Sequence, residues 1–355
     1  MESLIGPRVA PVSSVRLVVD EQSQVGAARR AAVELAHANL VGADAIARLA
    51  IVVTEASTNI IRHAGHGIII LRALRAGPTP AVEVLALDKG SGIASLPRAM
   101  RDGFSTSGTP GHGLGAIRRL ASVFAIYSHR DTGTALMARV GDEPRLAVGT
   151  QRAPSVDDRV GVVCVPLRGE SACGDAWRVI VGRQRLSVLL VDGLGHGPQA
   201  AVAAVAAVES FGSLASGSTE AALAAMHGAL RGTRGAALSS AVIDEAERTV
   251  TFSGVGNVDG RVLSLSQGDH LSPQNGIVGH TMPTPRTTSS AWPAGGRLVM
   301  HSDGISARWH MDAYPGLLKA HPALLAGVIY RDFARETDDA TVLVIADGVG
   351  EERGA

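Results

Sequence analysis

Residues 141–158, GDEPRLAVGTQRAPSVDD, lose the apolar periodicity that runs on either side of them and carry charges and prolines instead. Such a stretch reads as a linker. It cuts the 355 residues into two parts, each long enough to bury a core of its own, in line with the roughly 100–200 residues of an ordinary domain. The chain is therefore expected to fold as residues 1–145, a linker over 146–158, and residues 159–355. Hydrophobic residues make up 46% of it but aromatics only 3%, so both cores must be aliphatic and alanine-rich.

Thirty-three basic and thirty-three acidic residues cancel, which removes the basic footprint of a nucleic-acid binder. Protein and nucleotide partners are expected instead. Cys164 and Cys173 are too few for a disulfide framework or a zinc site and fit a reducing cytoplasm. Residues 1–20 lack a basic start followed by an apolar core, and the longest apolar run, AAVAAVAAV over 200–208, falls far short of the ~20 residues that span a bilayer. A soluble, cytoplasmic protein with no membrane partner is expected.

In the first part, VRLVV (15–19) alternates like a strand, 22–40 reads as an alanine-rich helix, and Asp44 is placed to N-cap a second helix. Strands at 67–74 and 82–88 flank the turn GPTP, and a later strand pair falls at 123–128 and 134–140. The second helix carries VVTEASTNIIRHA (52–64). The four-residue gap between Glu55 and Asn59 puts both side chains on one face, and His63 extends that stripe by a turn, while Val52, Val53, Ala56, Ile60 and Ile61 can pack on a sheet. A solvated face is the alternative reading of the stripe, and its neighbours decide.

Asp88 ends the strand of LALDKGSGI (85–93), followed by Gly90 and Gly92, which let backbone approach a ligand. Gly111, Gly113 and Gly115 of GHGLGAIRRL immediately precede a helix, where free N–H groups and the helix dipole attract phosphate without a side-chain cation. Neither of the only two lysines, Lys89 and Lys319, follows a GxxxxGK[ST] loop, so a Walker-type site is excluded. ExxxN, then DxGxG, then GxGxG, in this order, resembles the GHKL ATPase family, and TEASTNIIRHAG, GFSTSGT and GLGAIRRL resemble its RsbT-like serine kinases of bacterial partner switching and the stressosome over about residues 12–140.

That resemblance implies a Bergerat α/β sandwich. It makes Asn59 the ligand of a Mg²⁺ that bridges ATP phosphates and Glu55 the general base toward a substrate hydroxyl, roles that their spacing permits. Asp88 is implied to receive the adenine amino group, with Gly90 and Gly92 shaping the pocket and Thr134 on the adenine side. Gly111, Gly113 and Gly115 are implied to cover the phosphates, with 103–112 as a lid. His63 and His112 have surface or lid roles as the plainer reading.

The second part is strand-rich, with VGVVCVP, LSVLLVD, ALSSAVID, TVTFSGVG, RLVMHSD and TVLVIAD as short β-branched runs and helices at 198–212 and 218–231. An α+β domain with sheet on sheet and helices outside is expected. Asp175, Asp192, Asp303, Asp338 and Asp339 all fall at strand ends. Any single Asp-Gly is an ordinary turn. The series, however, resembles the SpoIIE-type (PPM) metal-dependent protein phosphatases, in their short RsbX-like form, over roughly 159–347.

Two carboxylates ~4 Å apart repel by about 4 kcal/mol at an effective dielectric near 20, so cations must offset such a cluster. Hard oxygen donors favour two Mn²⁺ or Mg²⁺ ions, which activate water for in-line attack on phosphorus. The resemblance makes Asp192, the Gly193 carbonyl, Asp303 and Asp338 the ligands, with Asp175 weaker, Asp339 supporting, and His196 a proton donor to the leaving oxygen or else a loop residue beside the metals. The region 272–296 reads as a substrate rim or as a surface connection.

By resemblance, the whole chain is expected to be a bifunctional partner-switching regulator. One part would phosphorylate, and the other dephosphorylate, serine or threonine on a STAS-domain antagonist or scaffold, controlling a sigma factor or a downstream output enzyme. The rival is an ATP-binding, anti-sigma-type sequestering module fused to an active phosphatase.

Overall fold

The computed structural model describes residues 3–5, 13–74, 79–100, 113–142, 156–212, 217–265 and 268–348. They form two compact units that do not follow chain order: residues 14–142 group with 310–331, and residues 156–309 group with 3–5 and 332–348. No helix among the described residues is long and apolar enough to cross a membrane.

Strand β1 is Ser3–Ile5. The unit that follows contains β2 (Val15–Val19), α1 (Gln22–Ala38), α2 (Ala43–Ala64), β3 (Gly67–Leu74), β4 (Ala81–Asp88), the single turn α3 (Leu96–Ala99), α4 (Gly113–Leu120), β5 (Val123–His129) and β6 (Gly133–Gly141). Its five-stranded antiparallel sheet has the order β2-β3-β4-β6-β5. Ala28, Ala32, Leu49, Val53, Ala56 and Ile60 on α1 and α2 pack against Ile69, Leu71, Val84 and Leu136, the α/β sandwich expected.

Two helix ends differ from a purely local reading. Asp44 does not cap α2; Gly42 does, and its N–H donates to the carboxylate of Asp142 at 3.0 Å. The cap is therefore held by a residue 100 positions away, leaving Asp44 in the first turn, where its charge suits the helix dipole. At the other end Gly65 takes φ 72°, a left-handed cap that turns the chain into β3.

Strands β3 and β4 are buried on both faces along seven of their eight residues. The face away from α1 and α2 carries Ile68, Ile70, Leu85, Leu87 and Met137 together with an ionic triad. Arg72 Nη2 and Arg139 Nε donate to the two oxygens of Glu83 at 2.7 and 2.8 Å, on three neighbouring strands. Burial alone would raise the Glu83 carboxyl, but the two guanidiniums outweigh it and hold it at about 2. Helix α7 (Pro322–Phe333) is apolar around most of its circumference, with Pro322 to Tyr330 all buried. Its Gly327 lies against β4: a Cβ there would stand 3.0 Å from Leu87 Cδ2.

The second unit has β7 (Val160–Val165), β8 (Asp175–Val181), β9 (Arg185–Gly193), α5 (Pro198–Gly212), α6 (Thr219–Ala229), β10 (Ala236–Asp244), β11 (Thr249–Val255), β12 (Asp259–Leu263), β13 (Gly268–Leu271), β14 (Thr288–Ala291), β15 (Arg297–His301) and β16 (Ala340–Ala346). One sheet runs β1-β8-β9-β10-β11-β14, the other β13-β12-β15-β16-β7. Val162, Trp177, Val188, Leu190, Phe252, Leu298, Met300 and Leu343 fill the space between them. Alanines 203, 204 and 207 with Phe211, Leu223 and Met226 bring α5 and α6 onto the outer face of the larger sheet. This is the helix-flanked β-sandwich expected. Within 272–296 the segment Thr288–Ala291 is β14, pairing with β11 at the sheet edge.

Candidate functional sites

In the first unit α2 presents Glu55 and Asn59, both half-buried. Asn59 Nδ2 is shielded from solvent and has no hydrogen-bond partner among the described residues. A buried amide without a partner is costly. Gly113, the first residue of α4, approaches the same side chain so closely that a Cβ on it would lie 3.4 Å from Asn59 Oδ1. The amide thus stands beside the N-terminal end of α4, the helix that also includes Gly115. Gly111, His112 and the whole of the expected 103–112 lid lie outside the described residues.

Asp88 ends β4, where Oδ1 accepts from the N–H groups of Gly90 (2.9 Å) and Thr134 (3.1 Å). Oδ2 carries no hydrogen bond among the described residues. Burial pushes the Asp88 carboxyl up, opposed by those two N–H groups and by Arg331 and His63. Gly90 packs on Ala64, with a Cβ position 2.9 Å from the Ala64 methyl, and Gly133, at φ 85°, leaves only 2.0 Å between its Cβ position and Asp88 O. Gly92 takes φ 72° against His129. Ser128 Oγ closes the loop, accepting from Ile93 N at 2.8 Å and bonding Thr134 Oγ1 at 2.9 Å. Arg331, beyond any sequence signal, donates to Asp88 O at 2.6 Å.

In the second unit the register of β8 and β9 sets Asp175 directly opposite Asp192. Like charges in that position repel. Burial first, then Asp175, Asp303, Asp338 and Asp339, push the Asp192 carboxyl up to about 9. Asp175 rises to about 7, mainly by burial, with Ser302 and Thr341 opposing and Asp339 and Asp338 adding. Asp303 is raised by burial and Asp338, with Asn257 and Arg335 acting the other way. The five aspartates are therefore near enough to feel one another, although no three acidic, histidine or cysteine side chains among the described residues already stand as a closed metal-binding group. Hard carboxylate oxygens of this kind suit Mn²⁺ or Mg²⁺.

The five differ in how much of each carboxylate is free. Asp339 spends both oxygens on backbone, accepting from Leu167 N (2.7 Å) and Gly174 N (2.8 Å), so it braces the loops. Asp175 Oδ2 accepts from Ser302 Oγ at 2.7 Å. Asp338 Oδ1 accepts from Asp339 N. The Asp192 carboxylate carries no hydrogen bond among the described residues and is the most available. Gly193 must be glycine, since a Cβ would lie 2.3 Å from Ala200 O.

Three partners escaped sequence reasoning. Asn257 Nδ2 donates to Asp303 Oδ2 at 2.6 Å, Glu170 Oε1 meets His196 Nδ1 at 2.6 Å, and Ser302 joins Asp175 to Thr341. Only the Gly-Asn pair in GVGN hinted at the first. Neither cysteine forms a disulfide, and both are buried with their sulfurs 3.7 Å apart.

Fold and sequence together mark a kinase-like ATPase domain joined to a SpoIIE-type domain. Residues 18–140 match the histidine kinase-like ATPase domain and residues 182–347 match stage II sporulation protein E. The chain belongs to the histidine kinase-like ATPase family through its first part, joined to a SpoIIE domain. Serine/threonine-protein kinase RsbT of Bacillus subtilis (strain 168) is 35% identical over 92 residues, 26% of this chain and 69% of that protein. Phosphoserine phosphatase RsbX of the same organism is 28% identical over 141 residues, 39% of this chain and 70% of its own length. A solved structure from the bacterial stressosome, a modular system adapted to control secondary messenger signaling, shares 29% identity and a TM-score of 0.50, covering 53% of this chain and 98% of its own.

Proposed function

We propose that this chain carries two opposed activities: ATP-dependent phosphorylation of serine or threonine on a STAS-domain antagonist or scaffold by the first part, and metal-dependent removal of that phosphate by the second. The setting is cytoplasmic partner switching that ends on a sigma factor or an output enzyme. The observation that carries the reading is the pairing of an unsatisfied Asn59 amide beside the start of α4 with Asp192 left unbonded among mutually repelling aspartates.

In the kinase half, Asn59 would hold Mg²⁺ on the ATP phosphates, and Gly113 and Gly115 would offer backbone N–H groups to them. Asp88 Oδ2 accepts the adenine amino proton. Glu55, one helical turn from Asn59, takes the proton of the attacking hydroxyl. In the phosphatase half, Asp192, Asp303, Asp338 and the Gly193 carbonyl would hold two Mn²⁺ or Mg²⁺ ions, with Asp175 a weaker donor. Bound there, they supply an activated water for in-line attack. His196, steadied by Glu170, protonates the departing serine oxygen.

The test is to incubate the full chain with candidate STAS proteins and Mg²⁺-ATP, then with Mn²⁺, following phosphate on the partner by mass. Capture of a partner in stoichiometric amount with no transfer would favour the sequestering reading instead.

A further inference from the structure

Two guanidiniums border the aspartate cluster without a structural task of their own. Arg335 follows the bridge between Ile305 and Ala334, and its N–H donates to Gly304 O at 2.7 Å, which fixes it beside the Asp303 turn. Its charge acts on Asp303. Arg234 stands at another loop: a Cβ on Gly195, two residues past Gly193, would lie 3.2 Å from Arg234 Nη1. The bond from Leu194 N to Gly235 O, 3.0 Å, ties the Arg234 loop to the one that follows Asp192.

Both arginine side chains are exposed, and neither makes a hydrogen bond or a close ion pair among the described residues. That is unusual next to so many carboxylates. Glu170 is taken by His196, both oxygens of Asp339 by backbone, and one oxygen each of Asp303 and Asp175 by Asn257 and Ser302. With the aspartates turned to cations, the arginines remain for an anion from outside. A planar guanidinium offers paired donors that match the non-bridging oxygens of a phosphomonoester, and charge-assisted bonds of this kind are short and strong.

We infer that Arg234 and Arg335 are the two arms of a clamp that grips the phosphoryl group of the substrate from two loops of the metal site. The clamp rests on the phosphatase reading and deepens it, because it reads the phosphoryl group itself rather than the surrounding protein. Small phosphomonoesters should therefore feel its loss as much as a phosphoprotein does.

The experiment uses the full chain loaded with Mn²⁺ and compares wild type with Arg234→Met, Arg335→Met and the two lysine variants. Hydrolysis of p-nitrophenyl phosphate is measured, and binding of inorganic phosphate is followed by calorimetry. Each methionine variant should lose about ten- to a hundredfold in kcat/KM and in phosphate affinity, the range of a lost charge-assisted bond, with lysine restoring part of it and Mn²⁺ affinity unchanged. Phosphate affinity within twofold of wild type in both methionine variants overturns the clamp, and loss in one alone overturns its two-armed form. A wild type that hydrolyses neither p-nitrophenyl phosphate nor a phosphoserine protein defeats the phosphatase reading itself.

Discussion

Replacing Asp192 by asparagine should make the metal-free second unit more stable. Folding places this carboxyl opposite Asp175, and burial followed by four neighbouring aspartates lifts it from 3.8 to about 9. The folded state then holds a proton that the unfolded chain gives up. That stability is complete below about pH 4 and is lost as pH rises toward 9. At about pH 7.5 the gap from 3.8 is about 3.7 units, and at about 1.36 kcal/mol per unit the cost comes to about 5 kcal/mol. Because the proton load is spread over coupled acids, a gain of about 2–5 kcal/mol is expected from an asparagine that keeps the shape and does not titrate. At roughly 2–4 °C per kcal/mol this is a rise of about 4–20 °C. All three tryptophans, Trp177, Trp292 and Trp309, belong to this unit, so intrinsic fluorescence melts in EDTA report on it. Mn²⁺ should raise the wild-type midpoint and leave the variant's unmoved. An asparagine variant that melts at or below wild type in EDTA would refute the reasoning.

Asn59→Ala should abolish phosphotransfer from ATP and spare dephosphorylation, whereas Asp303→Asn should do the reverse; parallel loss of both in either variant, in paired assays on one preparation, counts against separate sites. Gly133→Ala forces a Cβ to within 2.0 Å of Asp88 O and should weaken binding of a fluorescent ATP analogue about tenfold or more, with p-nitrophenyl phosphate hydrolysis unchanged. Glu83→Gln leaves two buried guanidiniums without their counter-ion and should cost the first unit about 3–5 kcal/mol in urea denaturation. Since Glu83 is held at about 2, its contribution is present above its usual 4.5 and fades as pH falls toward 2, so the penalty should shrink in acid. Mn²⁺ affinity, read by calorimetry, should climb as pH rises to about 9, because binding must displace the protons held by Asp175 and Asp192.

What could be read from the chain was whatever depends on spacing within one element. Glu55 and Asn59 share a helical face because four residues separate them, and the aspartates of the second part announce themselves by standing at or beside one end or the other of a strand. Partners brought by tertiary folding were invisible: Asp142 on the cap of α2, Glu170 on His196, Asn257 on Asp303, and Arg331 on Asp88, 243 residues away. The grouping of α7 with the first unit was equally hidden, since an all-round apolar helix says that it is buried without saying against what. Asp339 illustrates the limit within a single motif. Two adjacent aspartates look alike in sequence, yet backbone N–H groups claim both oxygens of Asp339 and only one of Asp338.

The most direct measurement follows one serine or threonine through both reactions. A STAS-domain partner is treated with the full chain and Mg²⁺-ATP, freed of nucleotide, and then given fresh protein with Mn²⁺, while intact mass records its phosphate. One phosphate gained and then lost at the same residue is the predicted result, with gain absent for Asn59→Ala and loss absent for Asp303→Asn. A partner whose mass changes in neither step, while binding the chain tightly throughout, would contradict the account.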